Sequence, residues 1–399
     1  MPEVTLSKYS LKGGLALFLV VTYPIDQLYS SLVIDSSIPS PFKIIISCYI
    51  FRLFHRKYRF KRRGSRANLV ALFLLTVWSF ITIIWALESY TSGLKDALQL
   101  LVLWSFTVVA IDDLSKDRGA IQKIIFYWMI IGAAFSLLAL SGVFSAEISS
   151  NYGRLSFVDL GINALAISQG YIFILALNSF SFFKGDKTQK IIAVCCLCSI
   201  LLLLVNLGTR SVIWGLIFTA VVTSLIYFNT RRTIGVVILG LMFIFGYFYA
   251  VDAGLTGDRS TDRLQEFSYF TFSENSRTEL FFTGFEWWKE NLLGSGIGNE
   301  RFAYLETGSL YLEAHNTFLS TLIQLGVPGL VLLIASFSFI FYEFLKIEEK
   351  HIKVLVFSLL LFFLIQLIKG SFLQTRLFWQ PVMLIILMIE SSKRGRLQA

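Results

Sequence analysis

Apolar segments long enough to cross a bilayer recur along the whole of this chain. A spanning helix needs about 20 mainly apolar residues, because the hydrocarbon core is about 30 Å thick and a helix rises about 1.5 Å per residue. Twelve segments fit or come close: 12–34, 40–54, 68–87, 94–111, 121–141, 160–183, 190–207, 211–228, 233–251, 314–345, 354–369 and 376–391. The second, fourth, seventh, eleventh and twelfth are short. Only 15% of the residues are charged and 55% are hydrophobic, whereas an average soluble domain is about 25% charged. A water-soluble core could not enclose this much apolar side chain. The expected fold is therefore all-α: a polytopic membrane protein with about 12 transmembrane helices, forming a single integral membrane domain over residues 1–399.

The net charge of +9 does not point to nucleic acid. It is concentrated in "RLFHRKYRFKRRGSR" (Arg52 to Arg66), between two apolar segments. That is the pattern of a cytoplasmic loop facing anionic lipid, so membrane lipids are the expected partner. Every second connection is basic or strongly charged: "DDLSKDRGAIQK", "KGDKTQK", "NTRRT", "KIEEKHIK" and the tail "SSKRGRLQA" follow the first. The alternate connections, "IDSSIPSPFK", "ESYTSG", "SGVFSAEISSNYGRLSFVD" and "LGTR", carry less positive charge. Twelve spans with both termini in the cytoplasm satisfy this alternation. No cleavable signal peptide is expected, because no short apolar stretch near the N-terminus ends in a small-residue cleavage site.

The same parity places one long hydrophilic connection outside the cytoplasm, residues 252–312, between the ninth and tenth spans. Within it Phe281, Phe285, Trp288 and Leu292 recur at spacings of three and four. They predict an amphipathic helix that lies on the membrane or caps the bundle. "GSGIGNE" (Gly294 to Glu300) lacks a preceding strand and the lysine of a phosphate loop, and reads as a glycine-rich turn closing that helix. Cys48, Cys195, Cys196 and Cys198 all lie in apolar runs, where core or lipid-facing thiols are expected and no disulfide. Asp159, Asp252, Asp258 and Asp262 are scattered and indicate no metal site.

The chain has three histidines. His55 and His351 fall in cytoplasmic loops among other charges and read as solvated side chains. His315 alone falls on the outer side, at the head of "HNTFLSTLIQLGVPG". The span below it is about 40 Å long, more than the hydrocarbon requires, so His315 is expected at or just above the outer interface. Gly326, Pro328 and Gly329 make a kink plausible. Gly326 follows His315 by close to three helical turns, which would put both on one face, turned into the bundle. The alternative is a histidine at a helix head above ordinary packing glycines. Arg210, Arg277, Arg154 and Arg376 are placed by parity near the same depth. Arginine near hydrocarbon marks either a pairing or substrate site, where its planar fork suits phosphate oxygens, or simple interfacial snorkelling or local salt bridges.

Several of these segments resemble the O-antigen ligase and polymerase superfamily of bacterial surface polysaccharide synthesis. "HNTFLSTLIQLGVPG" fits its His-Asn, nine residues, Gly, two residues, Gly pattern. "NLGTRSVIWG" is similar to its Thr/Ser-Arg-Ser motif, "ENSRTELFFTGFEWWKENLLGSGIGN" to its long outer loop, and "YGRLSF…INALA" to an upstream Arg-x-Ser segment. The matches run in order over roughly residues 150 to 390. The family's Asn-Pro is replaced by Ile162-Asn163, so no role passes to Asn163.

The resemblance implies a metal-independent membrane glycosyltransferase of the bacterial inner membrane, without a cofactor, whose active site faces the periplasm. It would move an undecaprenyl-pyrophosphate-linked glycan onto lipid A-core as a ligase, or onto a second lipid-linked repeat as a polymerase. It implies His315 as the catalytic base and Arg210 and Arg277 on the pyrophosphate, with Arg154, Arg376 and Asn316 as further substrate-binding residues. Imidazole suits proton removal near neutral pH, and guanidinium suits a leaving pyrophosphate. A flippase or other transporter is the competing class. Such carriers show related halves around a midplane site, and no half-repeat is visible in this sequence.

Overall fold

The computed structural model describes residues 67–86, 89–115, 118–141, 147–148, 155–156, 162–182, 187–207, 209–228, 233–235, 238, 240, 245, 249, 276–308 and 313–396. The expected spans at 12–34 and 40–54, and most of that at 233–251, lie outside the described residues, as do Cys48, His55 and Arg154.

Nine helices stand where nine of the twelve spans are expected. They are α1 (Ala67–Thr82), α2 (Tyr90–Leu114), α3 (Arg118–Leu140), α4 (Ile162–Phe182), α5 (Lys187–Leu207), α6 (Arg210–Tyr227), α9 (Thr317–Leu345), α10 (Lys350–Lys369) and α11 (Arg376–Arg396). Two further helices, α7 (Ser276–Glu290) and α8 (Glu300–Glu306), belong to the long connection. Among the described residues six helices are long and apolar enough to span a membrane, and two shorter apolar ones lie at Leu165–Phe180 and Ser211–Tyr227. Among the described residues the strands are two of two residues each, β1 (Glu147–Ile148) and β2 (Leu155–Ser156), antiparallel with Glu147 opposite Ser156.

The helices pack around a dense aromatic centre. Tyr171 of α4 meets Phe362 of α10 edge-on at 5.2 Å, and Phe363 meets Phe378 of α11 at 5.5 Å. Phe337 of α9 joins them 5.7 Å from Phe363. The opposite faces of the helices carry exposed apolar stripes at helical spacing: Val70, Leu74, Val77 and Ile81 on α1, and Val327, Val331 and Ile334 on α9. A soluble monomer does not leave such stripes to water. They are the lipid-facing side of a polytopic membrane bundle.

Hydrogen bonds and contacts show which helix ends lie together. Thr317, the first residue of α9, donates from Oγ1 to the Gly370 carbonyl just past α10 at 2.5 Å, and accepts from the Phe372 amide at 3.1 Å. Trp78, near the end of α1, donates from Nε1 to Leu325. Ser89, which caps α2, donates its amide to Asn299 at 3.0 Å. Gly215 of α6 lies against Gln366, close to the end of α10. Thus α2, α6, α9 and α11 begin, and α1 and α10 end, at one end of the bundle, here termed the His315 end. At the other end Glu343 holds Lys346 and Lys393 at 2.9 and 2.8 Å, tying α9 to α11. His351 lies at that end too, exposed and 3.6 Å from Glu349, in keeping with the solvated reading.

The amphipathic helix forms as α7, but its packed face is one residue off the expected stripe. Leu280, Gly284 and Trp287 are buried against α8 and α9. Phe281 and Leu292 are exposed, and Phe285 and Trp288 only half-buried. The reason is Gly284: a Cβ there would stand 2.5 Å from the Tyr304 hydroxyl and 2.7 Å from Ile323. A bare backbone at this point turns the glycine side of the helix inward and leaves the larger aromatic stripe at the edge. The helix caps the bundle, as one of the two expectations had it.

Candidate functional site

Helix α9 is broken, and the break organises everything around His315. Pro328 has no N–H, so the Gln324 carbonyl has no partner one turn on. Gly326 takes φ 64° and ψ −167°, outside any helical conformation. Backbone groups freed inside a membrane bundle need new partners. The Ile323 carbonyl accepts from the Ser295 amide at 2.7 Å, and the Gln324 carbonyl from Gly296 at 3.0 Å. Leu325 accepts from Trp78 Nε1 at 2.8 Å. The Val327 amide donates to Leu292 at 3.3 Å. Four groups lost from the helix are thereby recovered, three of them from residues 292–296. Gly294, at φ 79°, makes the approach possible, since a Cβ there would stand 2.7 Å from the Gln324 oxygen. The glycine-rich turn does close the amphipathic helix, but its backbone also completes a broken span.

His315 itself departs from expectation. It does not ride on the helix face with Gly326. Helix α9 starts at Thr317, Asn316 is its N-cap, and His315 precedes it with φ 47°, the one positive φ among non-glycine described residues. Its side chain is exposed rather than turned into the bundle. Gly326 admits the backbone of Leu292 and Leu293, not a neighbouring helix. Asn316 Oδ1 accepts from the amides of Phe318 and Leu319 at 2.9 and 3.1 Å. That is ordinary capping, and it leaves the amide nitrogen of Asn316 as the group available to a ligand.

Under this turn lies a polar network that sequence reasoning missed. Glu300, the first residue of α8, is buried at 8% exposure. Its Oε1 accepts from the Ala314 amide at 2.6 Å. Its Oε2 accepts from Ser320 Oγ and from Gln324 Nε2, the latter at 2.9 Å. Burial pushes the carboxyl above its ordinary range, outweighing the hydrogen bonds from Ser320, Ala314 and Gln324, and Glu313 adds to the rise. Gln324 donates a second time to Ser320 at 2.9 Å and accepts from the Gly298 amide at 2.9 Å and Gln374 Nε2 at 2.6 Å. Both donors and both acceptor positions of the Gln324 amide are filled. Gln374 in turn receives Gln99 Nε2 on its carbonyl at 2.6 Å. The available sequence signal was Ser320 and Gln324, polar residues four apart in a largely apolar span.

The arginines distribute as follows. Arg210 and Arg376 are the first residues of α6 and α11, so their backbones stand at the His315 end. Arg277 is the second residue of α7, which packs on α9 and α8 at that end. The side chains of these three lie outside what the structure describes, and Arg154 does so entirely. Near the same end, the amides of Gln366 and Gln380 are buried without a hydrogen-bond partner among the described residues. Among the described residues no three His, Cys, Asp or Glu side chains form a group able to hold a metal ion. A cavity of about 440 Å³ lies around Asn178, Thr223 and Ser358 between α4, α5, α6 and α10. Its lining runs from Ile213, three residues into α6 from Arg210, to Ser224 and Ser358 toward the other end of the bundle.

Comparison with protein families identifies the segment that builds this arrangement. The O-antigen ligase family model matches residues 193–334, from within α5 through the broken part of α9. This segment is similar to the O-antigen ligase family. The match supports the superfamily resemblance read from the sequence, and it spans Arg210, Arg277, Glu300 and His315. An O-antigen ligase match implies a function of the ligase or polymerase type, a glycosyltransferase-like enzyme, and substrates in the general class of lipid-linked glycans. With the apolar helices, it indicates a polytopic protein of the inner membrane. No curated protein matches the chain.

Proposed function

We propose that the protein is an O-antigen ligase, transferring an undecaprenyl-pyrophosphate-linked glycan to lipid A-core at the periplasmic face of the inner membrane. In this reading about twelve helices span the membrane, both termini are cytoplasmic, and 252–312 is a periplasmic loop. The observation that carries the reading is the exposed His315 turn at the bundle end where the α6, α7 and α11 starts, with their arginines, also lie. That grouping is what a transfer between a lipid-borne donor and a large outer acceptor requires.

The acceptor hydroxyl oxygen attacks the anomeric carbon of the donor and forms the new glycosidic bond. Its proton passes to the imidazole of His315. The bond from the anomeric carbon to the pyrophosphate oxygen breaks, and polyprenyl pyrophosphate departs with the electron pair. Arg210 and Arg277 bind that leaving charge, which grows in the transition state and needs preorganised donors. Arg154, Arg376 and the Asn316 amide nitrogen bind substrate. Direct attack inverts the anomeric centre, and no metal is required.

His315→Ala tests the reading in a deletion strain of the source bacterium. Transfer should vanish while the protein remains in the membrane at its normal level; transfer that persists rejects the base. The surface polysaccharide of the deletion strain separates ligase from polymerase. Bare core with long lipid-linked chains accumulating is the ligase result, and core carrying one repeat unit is the polymerase result.

A further inference from the structure

His315 makes its approach to substrate from a residue in the left-handed region, a conformation that non-glycine residues rarely hold without outside support. The support falls on its two flanks. Asn316 is fixed as the cap of α9, and the Ala314 amide is fixed by Glu300 at 2.6 Å. We infer that Glu300 is a positioning residue for glycan transfer. It sets the His315 turn against the break in α9 and, through Gln324 and Gln374, sets the same turn against the connection that leads into Arg376. The inference rests on His315 as the base.

Three features support this role over simple packing. First, a buried carboxylate is costly unless its oxygens are filled, and an apolar residue of similar size would pack α8 more cheaply. What it could not do is accept: Glu300 gathers donors from the His315 turn (Ala314) and from two levels of α9 (Ser320 and Gln324). Second, the network continues. Gln324 Oε1 receives both the glycine-rich turn at Gly298 and the α10–α11 connection at Gln374, two residues before Arg376. The groups assigned to proton removal and to substrate binding thus share one hydrogen-bonded frame. Third, a neutral substitute cannot preserve it. A glutamine at 300 would keep an oxygen for Ala314 but present a donor to Gln324 Nε2. Turning Gln324 over to accommodate it would break its bonds to Gly298 and Gln374.

A base displaced by about 1 Å can cost about 100-fold in rate. The experiment uses the full chain in membranes, with polyprenyl-pyrophosphate-linked glycan extracted from the deletion strain as the varied donor. The readouts are kcat and the solvent deuterium isotope effect on kcat. Glu300→Gln should lower kcat about 10- to 100-fold. Gln374→Ala, at a half-buried turn where folding is little at risk, should lower it by a smaller factor. Both should raise the isotope effect, because proton transfer to a misplaced base becomes rate-determining; a smaller folded fraction would leave that ratio untouched. Wild-type kcat in both variants while His315→Ala is inactive overturns the inference alone. So does a kcat that falls only with protein level, at a wild-type isotope effect. Activity in His315→Ala overturns the base reading, and this inference with it.

Discussion

Gly326 and Leu292 meet backbone to backbone: a Cβ on Gly326 would stand 2.5 Å from the Leu292 carbonyl oxygen. The contact joins a loop to the middle of a membrane helix. It exists because Pro328 stops the helix from satisfying its own carbonyls, and because Gly326 at φ 64° opens the ladder at that point.

Gly326→Ala should therefore be more damaging than a helical Gly→Ala substitution. It combines the strain of a backbone region open essentially to glycine alone, about 1–3 kcal/mol, with a clash against backbone that cannot swing away. We expect a loss of about 3 kcal/mol or more, read as a lower thermal unfolding midpoint in detergent, together with loss of transfer. An unchanged midpoint would show that the loop and the helix separate freely.

Trp78→Phe isolates a single bond of the same junction. The ring is kept, and the donor to the Leu325 carbonyl at 2.8 Å is removed. The carbonyl then lacks a partner in a part-buried setting, at a cost of about 1–3 kcal/mol. The same unfolding measurement checks it, and Trp78→Phe should be clearly milder than Gly326→Ala.

Thr317→Val removes the hydroxyl that bridges the Gly370 carbonyl and the Phe372 amide. Two buried or part-buried backbone groups lose their partner, so about 2 kcal/mol is expected. Because the bridge joins the head of α9 to the connection before Arg376, transfer should fall further than stability alone accounts for. Activity normalised to folded protein is the measurement.

Glu300 also makes a prediction about pH. Burial raises its carboxyl above 4.5 in the folded protein, so the folded state binds the proton more tightly than the unfolded chain. That contribution is complete below about pH 4.5 and is lost as pH rises through the raised folded value. Stability should decline over this window. Glu300→Gln cannot ionise and should flatten the decline in unfolding midpoints measured across it; an identical slope in both proteins would contradict the assignment.

Lys393→Met serves as the control from the far end. Lys393 bridges Glu343 and Glu390 at 2.8 Å each and is partly solvated, so its loss should cost no more than about 1 kcal/mol. Transfer per folded protein should be that of the wild type.

The sequence by itself determined the class of structure. Runs of apolar residues near 20 long have one stable solution in a bilayer, and nine of the twelve expected spans coincide with described helices. It also marked the kink at Gly326, the amphipathic α7, and the resemblance that the family match over 193–334 supports. These are local or periodic signals, each written in residues close along the chain. The tertiary structure decided what those signals could not carry. It placed His315 off the helix and exposed, because Asn316 takes the cap. It turned the Gly284 side of α7 inward, because Tyr304 occupies the space beside it. It made "GSGIGN" the partner of a broken helix and Glu300 the hub beneath His315. Each depends on groups such as Glu300, Gln324 and Gln374, far apart in sequence, finding one another's donors and acceptors. That pairing is set by how the helices pack, and no period in the chain records it.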